Sequence, residues 1–170
     1  MKIYTLTFSG CYNYGAILQC YALQKCIKEY GADTKVVDLQ LTPETYKRKK
    51  TMSKYGLKML IFDLTHINRD IQFKRATAKF ERFRSEYIDF TEPVYSVDAL
   101  PEVTKEIDAC VVGSDQVWNP LFSRPPKLKK QFLLEWLPSN IKRYSYAASI
   151  GYPKVPREVE DEFYNALLKF

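Results

Sequence analysis

IYTLTFSGCYNYGAILQCYALQKCIKEYG, Ile3 to Gly31, decides the fold, because an apolar strand here runs through a small-residue turn into an amphipathic helix. Lys2 to Phe8 is rich in β-branched and aromatic residues, which is typical of a strand, and turn formers fill Ser9 to Gly15. The helix that follows has one apolar stripe at three- and four-residue steps, made of Ala16, Cys20, Leu23, Ile27 and Tyr30. Gly31 predicts the helix end, because glycine readily takes the left-handed conformation that closes helices.

A second apolar segment, Lys35 to Leu39, follows closely and predicts a second strand, so the chain opens with a strand-helix-strand unit. The turn between strand and helix, Ser9 to Gly15, leaves the first backbone N–H groups of the helix without intrahelical partners. It also carries the positive end of the helix dipole, which favours an anion such as phosphate or carboxylate. This turn is the first candidate site.

Later segments continue the alternation of strands and helices. Leu41 to Asn68 predicts a helical excursion from the sheet, and Asp70 to Tyr87 predicts a crossover helix. Ala109 to Val112 is a short, wholly apolar run, typical of a central parallel strand, and Arg143 to Ala148 predicts a fourth strand. Pro156 begins a last helix, whose apolar side comprises Val159, Phe163, Ala166 and Leu167. The sequence therefore predicts an α/β fold with a parallel sheet and helices on both faces.

The third strand ends abruptly in the polar segment Gly113 to Asn119. Buried carboxylate, amide and hydroxyl groups need hydrogen-bond partners, which either a ligand or the backbone of the turn supplies. In common doubly wound sheets the first strand lies beside the third, so the turns Ser9 to Gly15 and Gly113 to Asn119 become neighbours in a crevice that binds ligands. Neither a G-x-G-x-x-G segment after the first strand nor a P-loop motif is present, which excludes these two nucleotide-binding fingerprints.

Length and composition predict one domain with a full core, since 46% of the 170 residues are hydrophobic and 15% are aromatic. No apolar run reaches the roughly 20 residues that span a bilayer, and the chain begins directly with a strand, so we expect a cytoplasmic protein. His66 is the only histidine and the cysteines lack C-x-x-C spacing, so a zinc site lacks its usual ligands. Structural thiols are expected at Cys11, Cys20, Cys26 and Cys110.

The net charge of +6 and the pI near 9.0 indicate an anionic partner, either a phosphorylated metabolite, an anionic polymer, a membrane surface or a nucleic acid. The basic residues concentrate in two groups, Lys47 to Lys50 with Lys54 and Lys58, and Lys127 with Lys129 and Lys130. The first group adjoins an apolar stripe, a pattern compatible with peripheral contact to the inner face of a membrane through Lys47 to Lys58. A solvated, packed surface is the alternative for both groups.

Three motifs, in this order, resemble the N-terminal half of the polysaccharide pyruvyl transferases: NYGAILQCYALQ (Asn13 to Gln24), DACVVGSDQVWNP (Asp108 to Pro120) and YSYAASIG (Tyr144 to Gly151). The resemblance implies a glycosyltransferase-B-like fold, in which two Rossmann-like domains face each other across a cleft, with this chain as the N-terminal one. It also implies transfer of the enolpyruvyl unit of phosphoenolpyruvate to a sugar or lipid-linked saccharide in exopolysaccharide biosynthesis, giving a pyruvate ketal. No metal or cofactor is implied.

Two departures from the family pattern bear on function. Ala16 stands where some branches have Asp, so a role of that carboxylate does not carry over. The arginine and histidine residues thought to hold phosphoenolpyruvate belong to the family's C-terminal domain, which is absent from these 170 residues. We therefore expect the 170-residue chain to supply the acceptor-sugar side and to be inactive alone.

The resemblance and the two neighbouring turns together define the candidate site residues. The transfer needs a proton donor, positive charge for phosphate and carboxylate, and an acceptor for the proton of the sugar hydroxyl. Asp115 is the candidate catalytic residue for the hydroxyl. The candidate substrate-binding residues are Asn13, Tyr14, Gly15, Gly113, Ser114, Gln116 and Asn119. The alternative is that Asp115 and Asn13 only cap turns.

Two other functions stay open at this point. One is a non-catalytic interaction domain, which uses the surface that the C-terminal domain would cover, for example to form a homo-oligomer. The other is nucleic-acid binding through Lys47 to Lys50, but no known basic-helix or aromatic-strand motif accompanies these lysines. No nucleic-acid partner is therefore expected.

Overall fold

Four parallel strands form the sheet in the computed structural model, which describes residues 1–40, 75, 77–123 and 125–170. The strands are β1 (Lys2–Leu6), β2 (Asp33–Val36), β3 (Ala109–Asp115) and β4 (Lys142–Ala148). Their order across the sheet is β2-β1-β3-β4. The predicted neighbourhood of the first and third strands is therefore confirmed, and so is the α/β class.

The described helices are α1 (Tyr14–Glu29), α2 (residues 77–87), α3 (Leu100–Val103) and α4 (Arg157–Leu167). Short 3₁₀ segments occur at Val97–Ala99, Pro120–Phe122 and Lys130–Leu133. None of the helices in these described ranges is long and apolar enough to cross a bilayer.

The chain divides into two compact units. The first comprises Met1–Leu41 with Ile88–Phe170 and contains the sheet, α1, α3 and α4, and the second, Thr42–Tyr87, contains α2. Within α2, Arg84 pairs with Glu81, three residues earlier, at 3.0 Å. The predicted helical excursion over residues 41–68, with the basic group Lys47 to Lys58, lies outside the described residues.

Helix α1 follows the predicted pattern except at its end. Gly31 has φ +80° just beyond the last turn, as expected for a residue that closes a helix. Tyr30, predicted to belong to the buried stripe, is 88% exposed, because the helix ends at Glu29 and Tyr30 already occupies the cap position. The buried residues of α1 are Ala16, Ile17, Cys20, Leu23 and Gln24.

The side chains of β1 and β3 alternate between the two faces of the sheet. One face packs against α1, through a cluster of Ile3, Leu23, Ala109 and Val111. The other face packs against α4, in a larger core that includes Tyr4, Leu6, Cys110, Val112, Val159, Phe163 and Ala166. Helices thus cover both faces. Of the predicted apolar side of the last helix, Val159, Phe163 and Ala166 are buried and Leu167 is half-buried.

The second strand begins two residues and ends three residues earlier than predicted, at Asp33–Val36 instead of residues 35–39. Val37 N still donates to Thr5 O of β1 at 2.9 Å, but the chain then changes partners, since Gln40 N donates to Val94 O at 2.8 Å. Leu39 therefore forms only an isolated bridge, with Val94. Apolar composition marks this segment as buried, but it does not mark where the ladder with β1 stops.

Strand β3 runs further than its apolar residues indicate, through Gly113, Ser114 and Asp115. Gly113 has φ +110°, and a Cβ atom there would overlap the carbonyl oxygen of Tyr146 on β4. Because glycine lacks that atom, β4 stays paired as far as Asp115, which lies opposite Ala148. The polar segment that was predicted as a turn thus begins inside the sheet.

The cysteines separate into two buried and two exposed thiols, and none of the four forms a disulfide. Cys20 and Cys110 are buried, and burial raises the pKa of Cys110 to about 12. A thiol with such a pKa is fully protonated at neutral pH, so Cys110 is an inert core residue.

Candidate functional site

Two polar loops leave the sheet at one edge, which we call the carboxyl-edge site and define as residues 9–15 and 113–119. Strands β1 and β3 are parallel neighbours with Leu6 opposite Val112. Because parallel strands end at the same edge, the chain leaves both at adjacent points. All eight residues predicted from the sequence therefore lie at this edge.

Gln19 of α1 connects the end of β1 to the second loop through three hydrogen bonds. The backbone N and the Oγ of Ser114 donate to Gln19 Oε1 at 3.1 and 2.7 Å. Gln19 Nε2 in turn donates to Thr7 Oγ1 at 2.9 Å. Thr7 Oγ1 closes the ring by donating to the carbonyl of Ser114 at 3.1 Å. The ends of β1 and β3 are thus held to α1 by one closed polar network.

Sequence reasoning missed Gln19 and Thr7. Each lies beside apolar residues, and their bonding partner, Ser114, is 95 residues away from Gln19 along the chain. One signal was available: Gln19 is an amide three residues after Ala16, next to the buried stripe of α1. A polar side chain at the margin of a buried stripe needs a partner, and here that partner comes from the second loop.

One of the two carboxylate oxygens of Asp115 takes part in a hydrogen bond within its own loop. Asp115 Oδ1 accepts from the backbone N of Gln116 at 2.7 Å, and the Asp115 carbonyl accepts from Ser149 N at 3.0 Å. No residue in the described part of the chain donates to its Oδ2. The half-buried carboxylate is thus oriented by its own loop and can accept a further hydrogen bond.

The backbone of Asp115 has φ +88°, a conformation that is uncommon for any residue with a Cβ atom. Asp and Asn tolerate positive φ better than most residues because their short side chains bond locally, as the Oδ1 of Asp115 does here. Such local strain is typical of functional sites, where the surrounding structure enforces it.

Asn119 and Gln116 stabilise the second loop from within. Asn119 is buried, its Oδ1 accepts from Leu121 N at 2.9 Å, and its Nδ2 donates to Gln116 Oε1 at 2.9 Å. Both polar groups of Asn119 therefore have partners inside the protein, which fixes the Gln116 side chain beside Asp115. Gln116 itself is exposed.

In the first loop, Asn13 caps helix α1. Its Oδ1 accepts from Ala16 N at 3.2 Å, which supports the capping alternative that the sequence left open. A Cβ atom at Gly15 would lie 3.2 Å from the same oxygen, so glycine leaves the room that the cap needs. Tyr14 is 62% exposed at the first helical position.

Replacing Asn13 with alanine is expected to lower the free energy of unfolding by about 1 kcal/mol, because Ala16 N loses its partner. Asn13→Asp is the matched control, since it retains the acceptor and adds a charge that the helix N-terminus favours. Urea unfolding of the three proteins measures the difference. Equal midpoints for the wild type and Asn13→Ala would show that the cap contributes nothing.

The third motif of the sequence also reaches this site. Trp118 N donates to Ser149 O at 3.1 Å, and Gly151 N donates to Ser149 Oγ at 2.9 Å. Gly151 has φ +70°, and a Cβ atom there would overlap the amide of Gln116. Ser149 and Gly151 were not among the predicted site residues, although the third motif pointed to this segment.

The fold and the site together define the class of protein: an open parallel α/β sheet with polar loops at the carboxyl ends of adjacent central strands, where such sheets bind ligands. The model of the family described as polysaccharide pyruvyl transferase matches residues 13–170, and these contain the last part of the first loop, residues 13–15, and all of the second loop. The chain belongs to the polysaccharide pyruvyl transferase family. Neither a curated protein nor a solved structure matches it.

Proposed function

We propose that the chain carries the acceptor-sugar side of a pyruvyl transferase that uses phosphoenolpyruvate as donor. The observation that carries the proposal is the network of Gln19, Thr7 and Ser114, which holds the ends of β1 and β3 to α1. Gln19 and Ser114 lie within the region that the family model matches. A polar, preorganised edge with a free carboxylate oxygen suits a ligand with many hydroxyl groups.

The proposed reaction balances without any change in oxidation state overall. Two sugar hydroxyl oxygens form bonds to C2 of phosphoenolpyruvate, and the bond between C2 and the phosphate oxygen breaks. The two hydroxyl groups release two protons. C3 gains one proton and becomes the methyl group, and the other proton leaves with the phosphate. In this scheme Asp115 Oδ2 accepts the proton of an attacking hydroxyl, as a general base.

The residues around Asp115 have positioning roles in this proposal. Ser114 holds the strand end against α1, and Asn119 holds Gln116, whose exposed amide is available to a sugar hydroxyl. Asn13 and Gly15 shape the first loop, and Tyr14 offers an exposed aromatic face of the kind on which sugar rings pack. Since phosphoenolpyruvate is a cytoplasmic metabolite, the proposed reaction takes place in the cytoplasm.

Asp115→Asn tests the proposal with little change of shape, because asparagine also tolerates positive φ. Saccharide binding to the 170-residue chain, measured by calorimetry with a panel of neutral hexose disaccharides, should weaken about tenfold, as expected for a lost hydrogen bond to a charged group. Asp161→Asn, on the exposed side of α4, is the matched control and should bind as the wild type does.

Phosphate release from phosphoenolpyruvate gives the second measurement. The 170 residues by themselves should release none, because the resemblance assigns the donor-holding residues to another domain. Unchanged saccharide binding by Asp115→Asn would contradict the assigned role of Asp115. Phosphate release that Asp115→Asn abolishes would instead show that this chain contains the catalytic groups for both substrates.

A second candidate function, a non-catalytic interaction domain, is favoured by β4. Among the described strands β4 pairs only with β3, and Tyr144 and Tyr146 on its one face are 49% and 60% exposed. An edge strand with exposed aromatic residues is a ready surface for a second copy of the chain. Light scattering over a range of concentrations tests this function, and a strictly monomeric chain would rule out self-association.

A further inference from the structure

Lys129 lies between two aromatic rings at the carboxyl edge of the sheet. Its Nζ is 4.9 Å from the ring centroid of Phe8 and 4.8 Å from that of Phe122. Phe8 directly precedes the first loop, and Phe122 lies in the 3₁₀ segment that Asn119 caps at the end of the second loop. The ammonium group thus lies against two rings that flank the two loops of the carboxyl-edge site.

The surroundings of Lys129 are fixed before any ligand arrives. The ring of Phe8 packs edge-on against Phe132 at 5.0 Å and against Phe122 at 6.0 Å. The carbonyl of Lys129 accepts from Phe132 N at 2.9 Å, which anchors its backbone. Folding already orders this long side chain, so the binding of a ligand to it costs less side-chain conformational entropy.

Some lysines in the described residues have carboxylate partners, whereas the Lys129 ammonium, like several other lysines, has none there. Lys28, Lys105, Lys130 and Lys169 each pair with a carboxylate. Burial lowers the pKa of Lys129, because its charge is partly withdrawn from water. An anion bound at this position would stabilise the partly buried charge of Lys129, which the two rings and the solvent stabilise only in part.

We propose that Lys129, framed by Phe8 and Phe122, holds an anionic phosphate or carboxylate group of the ligand at the carboxyl-edge site. This inference rests on the proposed function for the ligand's identity, and it adds a positively charged residue to a site whose other predicted members are neutral or acidic. Two ligands could supply the anion, phosphoenolpyruvate or a phosphorylated saccharide. The alternative role is structural, in which the cation–π contacts only fasten residue 129 to the two loops.

The experiment compares Lys129→Met with Lys130→Met. Methionine keeps an unbranched stem against the rings and removes the charge, and Lys130 is an exposed neighbour that pairs with Glu162 at 3.5 Å. Calorimetric titrations use inorganic phosphate, phosphoenolpyruvate, a hexose 1-phosphate and the neutral hexose. We expect Lys129→Met to weaken the binding of the anions about tenfold, as for a lost charged hydrogen bond, and to leave the neutral sugar unaffected.

Lys129→Arg should retain anion affinity, which separates loss of charge from loss of fold, and thermal melting shows which variants are folded. The anion that binds most tightly in a Lys129-dependent manner identifies the source. Anion affinity that is unchanged in Lys129→Met, equally weakened in Lys130→Met, or undetectable in the wild type would overturn the inference. If the binding of the neutral sugar did not depend on Asp115 while the binding of the anions still depended on Lys129, this result would count against the proposed function alone.

Discussion

Gly113→Ala is expected to destabilise the chain by about 3 kcal/mol, the sum of roughly 1–2 kcal/mol for a Cβ atom at positive φ and 1–3 kcal/mol for forced overpacking. The added Cβ atom would overlap the carbonyl oxygen of Tyr146, and backbone of a paired strand cannot move aside as a flexible side chain can. The register of β3 with β4 beyond Val112 would have to change. Urea unfolding, followed by circular dichroism, measures the loss as a lower midpoint at constant slope.

Substitutions at two other glycines separate the cost of positive φ from the cost of overpacking. Gly31 has φ +80° but open space around its Cβ position, so Gly31→Ala should cost about 1 kcal/mol. At Gly10 a Cβ atom would make an ordinary contact, 3.6 Å from Leu39 O, so Gly10→Ala should change stability little. A Gly113→Ala protein that unfolds at the midpoint of Gly10→Ala would contradict the close packing of β3 and β4.

Gln19→Leu should cost a similar amount, about 3 kcal/mol, because it leaves more than one polar group without a partner at about 1–3 kcal/mol each. The backbone N and Oγ of Ser114 lose their acceptor, and Thr7 Oγ1 loses its donor. Beyond the stability loss, the second loop should separate from α1. Hydrogen exchange at the Ser114 amide, which donates to Gln19 Oε1, reports that separation directly.

Gln24 supplies the matched control, since it is a second buried amide on the same helix. Its Nε2 donates to Asp89 O at 2.8 Å, and its Oε1 accepts from Asp89 N at 3.0 Å. Gln24→Leu should therefore speed exchange at Asp89 and leave Ser114 protected, with the opposite pattern in Gln19→Leu. Fast exchange at Ser114 in both variants would show general loosening instead of a specific link between α1 and the second loop.

The order of the strands could be predicted because it follows from local patterns joined by a general rule. Gly31 ended the first helix, the apolar run Ala109 to Val112 marked a strand buried on both faces, and doubly wound sheets place the first strand beside the third. Strand ends were harder to predict. Val37 remains buried beyond β2, and Gly113 prolongs β3, because partners from distant segments decide where pairing stops.

The location of the site could be predicted from the sequence, but its hydrogen-bond network could not. Parallel strands bring Asn13 and Asp115 to one edge, and that much follows from topology. The hydrogen bonds of Gln19 to Ser114 depend on how α1 is rotated on the sheet, which sequence periodicity fixes only approximately. The position of Lys129 likewise depends on an irregular segment that brings its side chain over Phe8. The charge pattern of the sequence does not predict the path of that segment.

We propose that residues 9–15 and 113–119 bind the acceptor saccharide. An NMR titration of the ¹⁵N-labelled 170-residue chain with neutral hexose disaccharides tests it most directly, with Asp115→Asn as the control. We expect saturating shift changes to concentrate on amides of these two loops and of the adjoining residues 149–151, and to become weaker in the control. Shift changes confined to another surface, or none at any saccharide concentration, would contradict it.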